Sequence, residues 1–357
     1  MIRLDRYILG KFLGNFFFFM ALVMAIAAVF DVSQKLDDFM HEDLTLGIII
    51  KDYYINFVAF YGNTFSALIL FLSTVFFTAR MANNTEITAI FTGGVSFWRL
   101  IRPYMIGAGI VFLITATMSH FVIPSTNGAR IAFEDEYIFH RRSSRDLNIH
   151  RQILPGHMIY VETWNKKRMG GYNFTYEVYD GSEMLERFDA DFIKFNPQSE
   201  TWRCDSWSHR IHAPDGSAIL RKGLHKDTAF AFTTQQISPD ERSIETMASP
   251  ELWEFLEQQR ISGSEALGSY LMKFHRRTAY PFSAFILVFI AVILAGRKIR
   301  GGVGAQIALG LIIAVTYIFF MQMTSVLIEI QFTTPLVAVW TPNIIFMIVA
   351  AILAYRR

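Results

Sequence analysis

The sequence predicts a membrane α-helical protein with six spanning helices, three plus three, and an extracytoplasmic all-β, jelly-roll-like domain between the two groups. Three observations carry that prediction. Of 357 residues, 52% are hydrophobic and 18% charged, and the mean hydropathy is +0.31, whereas soluble domains hold about a quarter charged residues. Six apolar runs are each long enough to cross a hydrocarbon core of about 30 Å. Between the third and fourth runs lies a long segment punctuated by turn residues and rich in aromatic and β-branched ones.

The runs lie near residues 12–30, 55–79, 103–123, 280–296, 303–328 and 337–355. The first follows a basic start (Arg3, Arg6, Lys11) and contains Ala25-Ile26-Ala27, which resembles a signal-peptide cleavage site. Its apolar stretch continues through Val29-Phe30, which marks an uncleaved anchor. Basic residues then alternate between sides. Arg80, Arg99 and Arg102 follow the second run, Arg297, Lys298 and Arg300 the fourth, and Arg356-Arg357 the sixth. The opposite loops hold Lys35 and Lys51, and no Lys or Arg between Ile328 and Trp340. The positive-inside bias puts both termini in the cytoplasm and residues 124–279 outside. The expected division is 1–123 for spans one to three, 124–264 for a periplasmic β domain with a short helix, and 265–357 for a connecting helix and spans four to six.

Within the outer segment, Met158 to Thr163, Tyr172 to Tyr179, Phe188 to Phe195 and Ala229 to Thr234 read as strands. Turns are expected at Pro155-Gly156, Gly170-Gly171, Asp180-Gly181, Asn196-Pro197 and Pro214-Asp215-Gly216. Short strands with regular turns predict a sandwich or jelly roll. Ser249-Pro250-Glu251 reads as an N-cap opening a helix that stops near Gly263, and Ala266 to Arg277 feeds a second helix into the fourth span.

Little in the chain points to catalysis. There is no P-loop, and no Gly-x-Ser-x-Gly nucleophile turn. His209 and His212 lie in an expected strand, where positions three apart face opposite ways, so they do not pair as metal ligands. The lone Cys204 allows no intramolecular disulfide, a net charge of +2 does not suggest nucleic acid, and no cofactor is expected. The spans carry Asn63, Ser66, Gln306, Gln322 and Thr324 but few ionisable groups, which disfavours ion coupling, since that needs a titrating or ion-binding group in the pathway. A lipid path needs mainly apolar surface with polar grips at its rim. Lys35 beyond the first span and His275, Arg276 and Arg277 before the fourth are candidate grips for lipid phosphate. In the loop after the second span, Asn84 or Thr85 caps a short helix with Glu86 in its first turn and Ile87, Ile90 and Phe91 along one side; Gly93-Gly94 stop it. Such a helix suits docking of a cytoplasmic partner.

Thr85-Glu86-Ile87 through Gly93-Gly94, the opening Leu4-Asp5-Arg6-Tyr7-Ile8, and His275-Arg276-Arg277 with Pro281 resemble the lipopolysaccharide-export permeases of the LptF/LptG family, as does the three-plus-three layout. Asp5-Arg6-Tyr7 leans toward the LptG type. The resemblance implies a permease subunit without its own ATP site, paired with a second permease and a cytoplasmic ATPase dimer of the LptB type. It would pass lipopolysaccharide through the β domain to a membrane-anchored periplasmic bridge of the LptC type. It implies an ATPase-contacting helix at Thr85, Glu86, Ile87, Ile90, Phe91, Gly93 and Gly94, and a lipid contact at Lys35. The alternative reading is a membrane-anchored sensor or scaffold whose β domain binds a ligand.

Overall fold

A computed structural model describes residues 3–40, 44–138, 145–166, 168–212, 217–230, 232–237, 243–264, 266–298, 301–330 and 332–356. The chain begins with α1 (Arg3–Gln34) and the short α2 (Leu36–Phe39) and α3 (Leu46–Ile48), then runs through a π-helical stretch, Ile49–Tyr54, into α4 (Ile55–Asn83). α5 (Glu86–Thr92) precedes α6 (Phe97–Thr117), which continues through Met118–Val122 into α7 (Ile123–Phe133) and Glu134–Ile138. Six strands follow: β1 (Arg145–Leu154), β2 (His157–Asn165), β3 (Gly170–Asp180), β4 (Glu183–Asn196), β5 (Thr201–His212) and β6 (Ala218–Thr228). The chain ends with α8 (Thr234–Ile237), α9 (Ser249–Ile261), α10 (Leu267–Ala295), α11 (Gly302–Glu329) and α12 (Pro335–Tyr355). Two compact units result, residues 1–138 with 245–249 and 268–357, and residues 139–244 with 250–267. The apolar run of the third span ends near residue 123, yet its helical rod continues to Ile138.

In the helical unit, six helices among the described residues are long and apolar enough to cross a membrane, as expected. Their apolar windows divide sharply by burial, 72% for the rod containing α4 and 67% for α10, but 17% for α1 and 22% for α11. Sequence explains the difference. α4 carries Gly62, Ser66, Ala67, Ser73, Thr74 and Ala79, small residues that let neighbouring helices approach closely. The buried hydroxyls of Ser66, Ser73 and Thr74 return to the helix's own backbone, Ser73 Oγ to Leu70 O at 3.0 Å among them, while Thr78 donates to the Tyr104 hydroxyl of α6 at 3.2 Å. α1 and α11 instead present large apolar side chains outward, including Phe18, Phe30, Ile312 and Phe319, each at least 60% exposed. In a bilayer those faces meet lipid or another apolar helix.

In the second unit the strand-rich segment folds as one antiparallel sheet in consecutive order, β1-β2-β3-β4-β5-β6. This meander is simpler than the expected jelly roll, whose Greek-key order brings non-consecutive strands together. One face is apolar, with Ile159, Val161, Phe174, Phe188, Ile193 and Trp202 buried. The described residues of the expected strand Ala229 to Thr234 are not in a strand. Phe230 and Phe232 leave the sheet after β6 and lie on its apolar face, their rings stacked at 5.0 Å and Phe232 5.1 Å from Trp202. Gly170-Gly171 is not a turn either, but opens β3 opposite Asn165 and Trp164. A Cβ on Gly171 would meet the Trp164 ring at 2.9 Å, so glycine here permits close approach rather than reversal. Pro214-Asp215-Gly216 lies outside the described residues.

Asn148, Asn173 and Ser206 all have φ near +50° within strands. The pairings on either side put Asn148 opposite Glu162, Glu162 opposite Asn173, and Asp191 between Asn173 and Ser206, so the three lie in one line across the sheet. Side-chain alternation changes phase at this line. In β4, Phe188 and Ala190 are buried before it and Ile193 after it. Burial also pushes the Cys204 thiol up to about 12, so it stays protonated in the core.

Candidate functional site

α5 is present where the sequence places it, but its chemistry differs from expectation. Thr85 occupies the N-cap position with φ +62° and makes no side-chain cap; its hydroxyl donates to Asn84 O at 2.6 Å. The stop is as expected. Val95 N donates to Ile90 O at 3.3 Å and Gly94 N to Phe91 O at 3.0 Å, with Gly94 at φ +81°, a Schellman closure. The apolar side of the helix packs on its own unit: Ile87 is 2% exposed, and Ile90 and Phe91 pack against the same core. What α5 turns outward is Thr85, Thr88, Ala89, Thr92 and Gly93. Glu86 accepts a hydrogen bond from Tyr7 Oη at 3.1 Å, while Asp5 pairs with Arg99 at 2.7 Å. The first turns of α1 thus fasten both α5 and the start of α6. Sequence reasoning registered Asp5 and Tyr7 only as part of a resemblance, because contacts over such separations leave no local pattern.

At the opposite end of α1, Lys35 is 21% exposed and pairs with Asp31 at 2.7 Å. Its ammonium also bonds the Tyr53 hydroxyl and lies 4.7 Å from that ring's centre. Tyr54 donates to the second oxygen of Asp31 at 3.1 Å, closing an aromatic nest with Phe39, Phe57 and Phe133. The basic triplet on α10 is spent unevenly. Arg276 donates to Met321 O, Thr324 Oγ1 and Ser325 Oγ at 3.0 to 3.1 Å and so ties α10 to α11; its Nε has no partner. Arg277 donates to Met247 O at 2.9 Å and Ser249 Oγ at 3.1 Å. His275 is half-buried with its ring edge on Phe274. The structure therefore does not gather the four rim groups into one cluster.

Long, exposed apolar faces on α1 and α11, a short helix at the end of α4 and a strand unit between α7 and α10 form one layout. The family model of the lipopolysaccharide export system permease LptF/LptG matches it over residues 6–356, nearly the whole chain. The chain belongs to the LptF/LptG family. As a member with six helices, among the described residues, long and apolar enough to cross a membrane, it is a multi-pass inner-membrane protein and a permease of lipopolysaccharide export. The match does not separate LptF from LptG. A comparison with curated proteins finds no match.

This LptF/LptG permease also holds a clasp that the sequence did not reveal. The segment 245–249, within the helical unit, is gripped from two helices. Arg130, 5% exposed, donates from Nη1 to Glu134 at 2.6 Å and from Nε to Asn127 at 2.8 Å, and its Nη2 lies 3.9 Å from Glu245. Lys273 on α10 stands 3.8 Å from the other oxygen of Glu245. Phe60 covers the Arg130 guanidinium at 4.7 Å. Ser249, expected as an N-cap, instead bonds Arg277 and, at 2.7 Å, His120.

Proposed function

We propose that this permease is one half of a transporter that extracts lipopolysaccharide from the inner membrane, pairs with a second permease, and is driven by a separate cytoplasmic ATPase dimer of the LptB type. The lipid would leave through the β unit to a membrane-anchored periplasmic bridge of the LptC type. The observation that carries this reading is the family match over residues 6–356 on a three-plus-three helical frame. Both termini face the cytoplasm and the β unit the periplasm; Arg80, Arg99, Arg102, Arg297 and Lys298 at one set of helix ends support that orientation.

The lipid path runs along α1 and α11, whose apolar faces are the least buried of the six. Lys35 and His275 meet lipid phosphate at the rim. Arg276 and Arg277 hold α11 and the 245–249 segment in place beside them. Phosphate at Lys35 would have to compete with Asp31, which makes the grip reversible. Energy enters through α5. Ile87, Ile90 and Phe91 anchor the helix, Glu86 and the outward threonines meet the ATPase, and Gly93-Gly94 end it.

Glu86→Lys tests this reading. Reversing the charge should reduce transport-coupled ATP hydrolysis about fivefold to tenfold, the equivalent of roughly 1 kcal/mol of contact. Tyr7→Phe, which removes only the intramolecular hydrogen bond, should have a smaller effect. Unchanged assembly and lipid release with Glu86→Lys would count against the proposal.

A further inference from the structure

β6 is the outermost of the six strands, and a lysine on such a strand ordinarily reaches into water. Lys226 does not. It stands opposite Cys204, whose side chain is fully buried, and so lies on the apolar face of the sheet. Its ammonium is 4.8 Å from the centre of the Trp207 ring and 5.5 Å from that of Phe188. These two rings stack 5.9 Å apart, with 8° between their planes. Gly223 makes room for the indole, since a Cβ there would meet Trp207 Nε1 at 2.7 Å.

Two polar groups at this place lack the partner that their chemistry asks for. Among the described residues, Lys226 has neither a carboxylate nor a hydrogen-bond acceptor, only the two rings. The Trp207 Nε1 is buried and donates to nothing. Nearby acids are engaged elsewhere. Glu186 faces His209 at 3.2 Å, Asp205 accepts from Arg203 at 3.3 Å and stands 2.8 Å from His225, and Asp227 pairs in register with Arg203 on the other face. A ring holds an ammonium less strongly than an anionic oxygen does, and a buried N–H without an acceptor is destabilising. A cation and a donor left unspent side by side are the complement of an anionic oxygen. Beside them Trp207 and Phe230 are only half-buried, with the Phe230 ring 5.5 Å from Phe188, so an apolar surface adjoins the polar pair.

We propose that Lys226 and Trp207 form a binding site for the phosphate of an amphiphile whose hydrocarbon chain lies on Trp207 and Phe230. The anion draws Lys226 off the rings, and the indole N–H donates to a second phosphate oxygen. The apolar surface favours a phosphate that carries a chain over one that does not. That the amphiphile is the exported lipid, held by its phosphate at the outermost strand of the β unit, rests on the function proposed above; the binding itself does not.

The test is nuclear magnetic resonance of the full-length protein, labelled with ¹⁵N at its tryptophan indoles and held in phosphatidylcholine nanodiscs. The Trp207 signal is assigned by its loss in Trp207→Phe. Octyl phosphate should shift it saturably, inorganic phosphate should need about tenfold more to do so, and neutral octyl glucoside should leave it in place. Lys226→Gln should raise the octyl phosphate concentration needed by about tenfold, and Lys226→Arg should preserve it. Unmoved Trp164 and Trp202 signals in both variants show that the sheet is intact, because both rings lie in its core. No shift with octyl phosphate, an equal shift with octyl glucoside, an equal response to inorganic phosphate, or an unchanged titration in Lys226→Gln each overturns the site. The assay contains no lipopolysaccharide, ATPase or ATP, so failure of the export reading would leave its result unaffected, and failure here would leave that reading standing.

Discussion

Arg130 is a charged side chain on a helix long enough to cross a membrane, and it is tolerated because every face of it is occupied. Glu134 and Asn127 take its hydrogen bonds, Glu245 stands near, and Phe60 covers its plane. Removing one member of such a buried pair leaves the other charge without compensation, at a cost of about 3–5 kcal/mol, whereas replacing both with apolar groups is often neutral. Arg130→Met should therefore lower the thermal stability of the purified protein substantially, and Arg130→Met with Glu134→Leu should recover most of the loss. Single and double variants of equal stability would show that the pair is not coupled. Little of this was legible in the sequence. Arg130 and Glu134 are one helical turn apart and could be paired from spacing alone, but Glu245 reaches them only through the return of the chain from the β unit.

At the scale of elements, the six long helices were legible because apolar length is a strong, local signal, and α5 was legible from its glycine stop. Gly94 sits at φ +81°, and an alanine there should cost about 1 kcal/mol. Hydrogen exchange over residues 86–92 should accelerate roughly fivefold in Gly94→Ala; protection equal to the native protein would show that the Schellman closure does not hold the helix. The strands were less legible for identifiable reasons. β6, Ala218–Thr228, is an edge strand carrying Arg221, Lys222 and Lys226, side chains that guard an open edge and hide the alternating pattern. The left-handed line through Asn148, Asn173 and Ser206 reverses the inward face partway along the strands, so no strict period of two survives. Phe230 and Phe232 read as strand by composition and serve instead as packing on the sheet's apolar face.

Taken whole, the molecule combines a frame whose inner helices, α4 and α10, are packed with outer helices, α1 and α11, that leave broad apolar faces uncovered. Such a frame is complete only in lipid, as expected for a multi-pass permease of the LptF/LptG family. The site was partly legible. The position of α5 followed from residues 84–94, but the apolar residues expected to meet a partner are the ones buried within this chain, because so short a helix is stable only when its apolar side is packed. The rim residues were found by charge alone, and charge does not reveal that Asp31 neutralises Lys35 or that α11 holds Arg276. The central claim is that this chain extracts lipopolysaccharide with energy from a separate subunit. Its most direct test is affinity purification of the full-length protein from its native membrane, followed by identification of the bound protein and lipid. The account predicts a second LptF/LptG permease, a Walker-type ATPase and retained lipopolysaccharide that leaves on ATP hydrolysis; a complex with no ATPase and no lipopolysaccharide would contradict it.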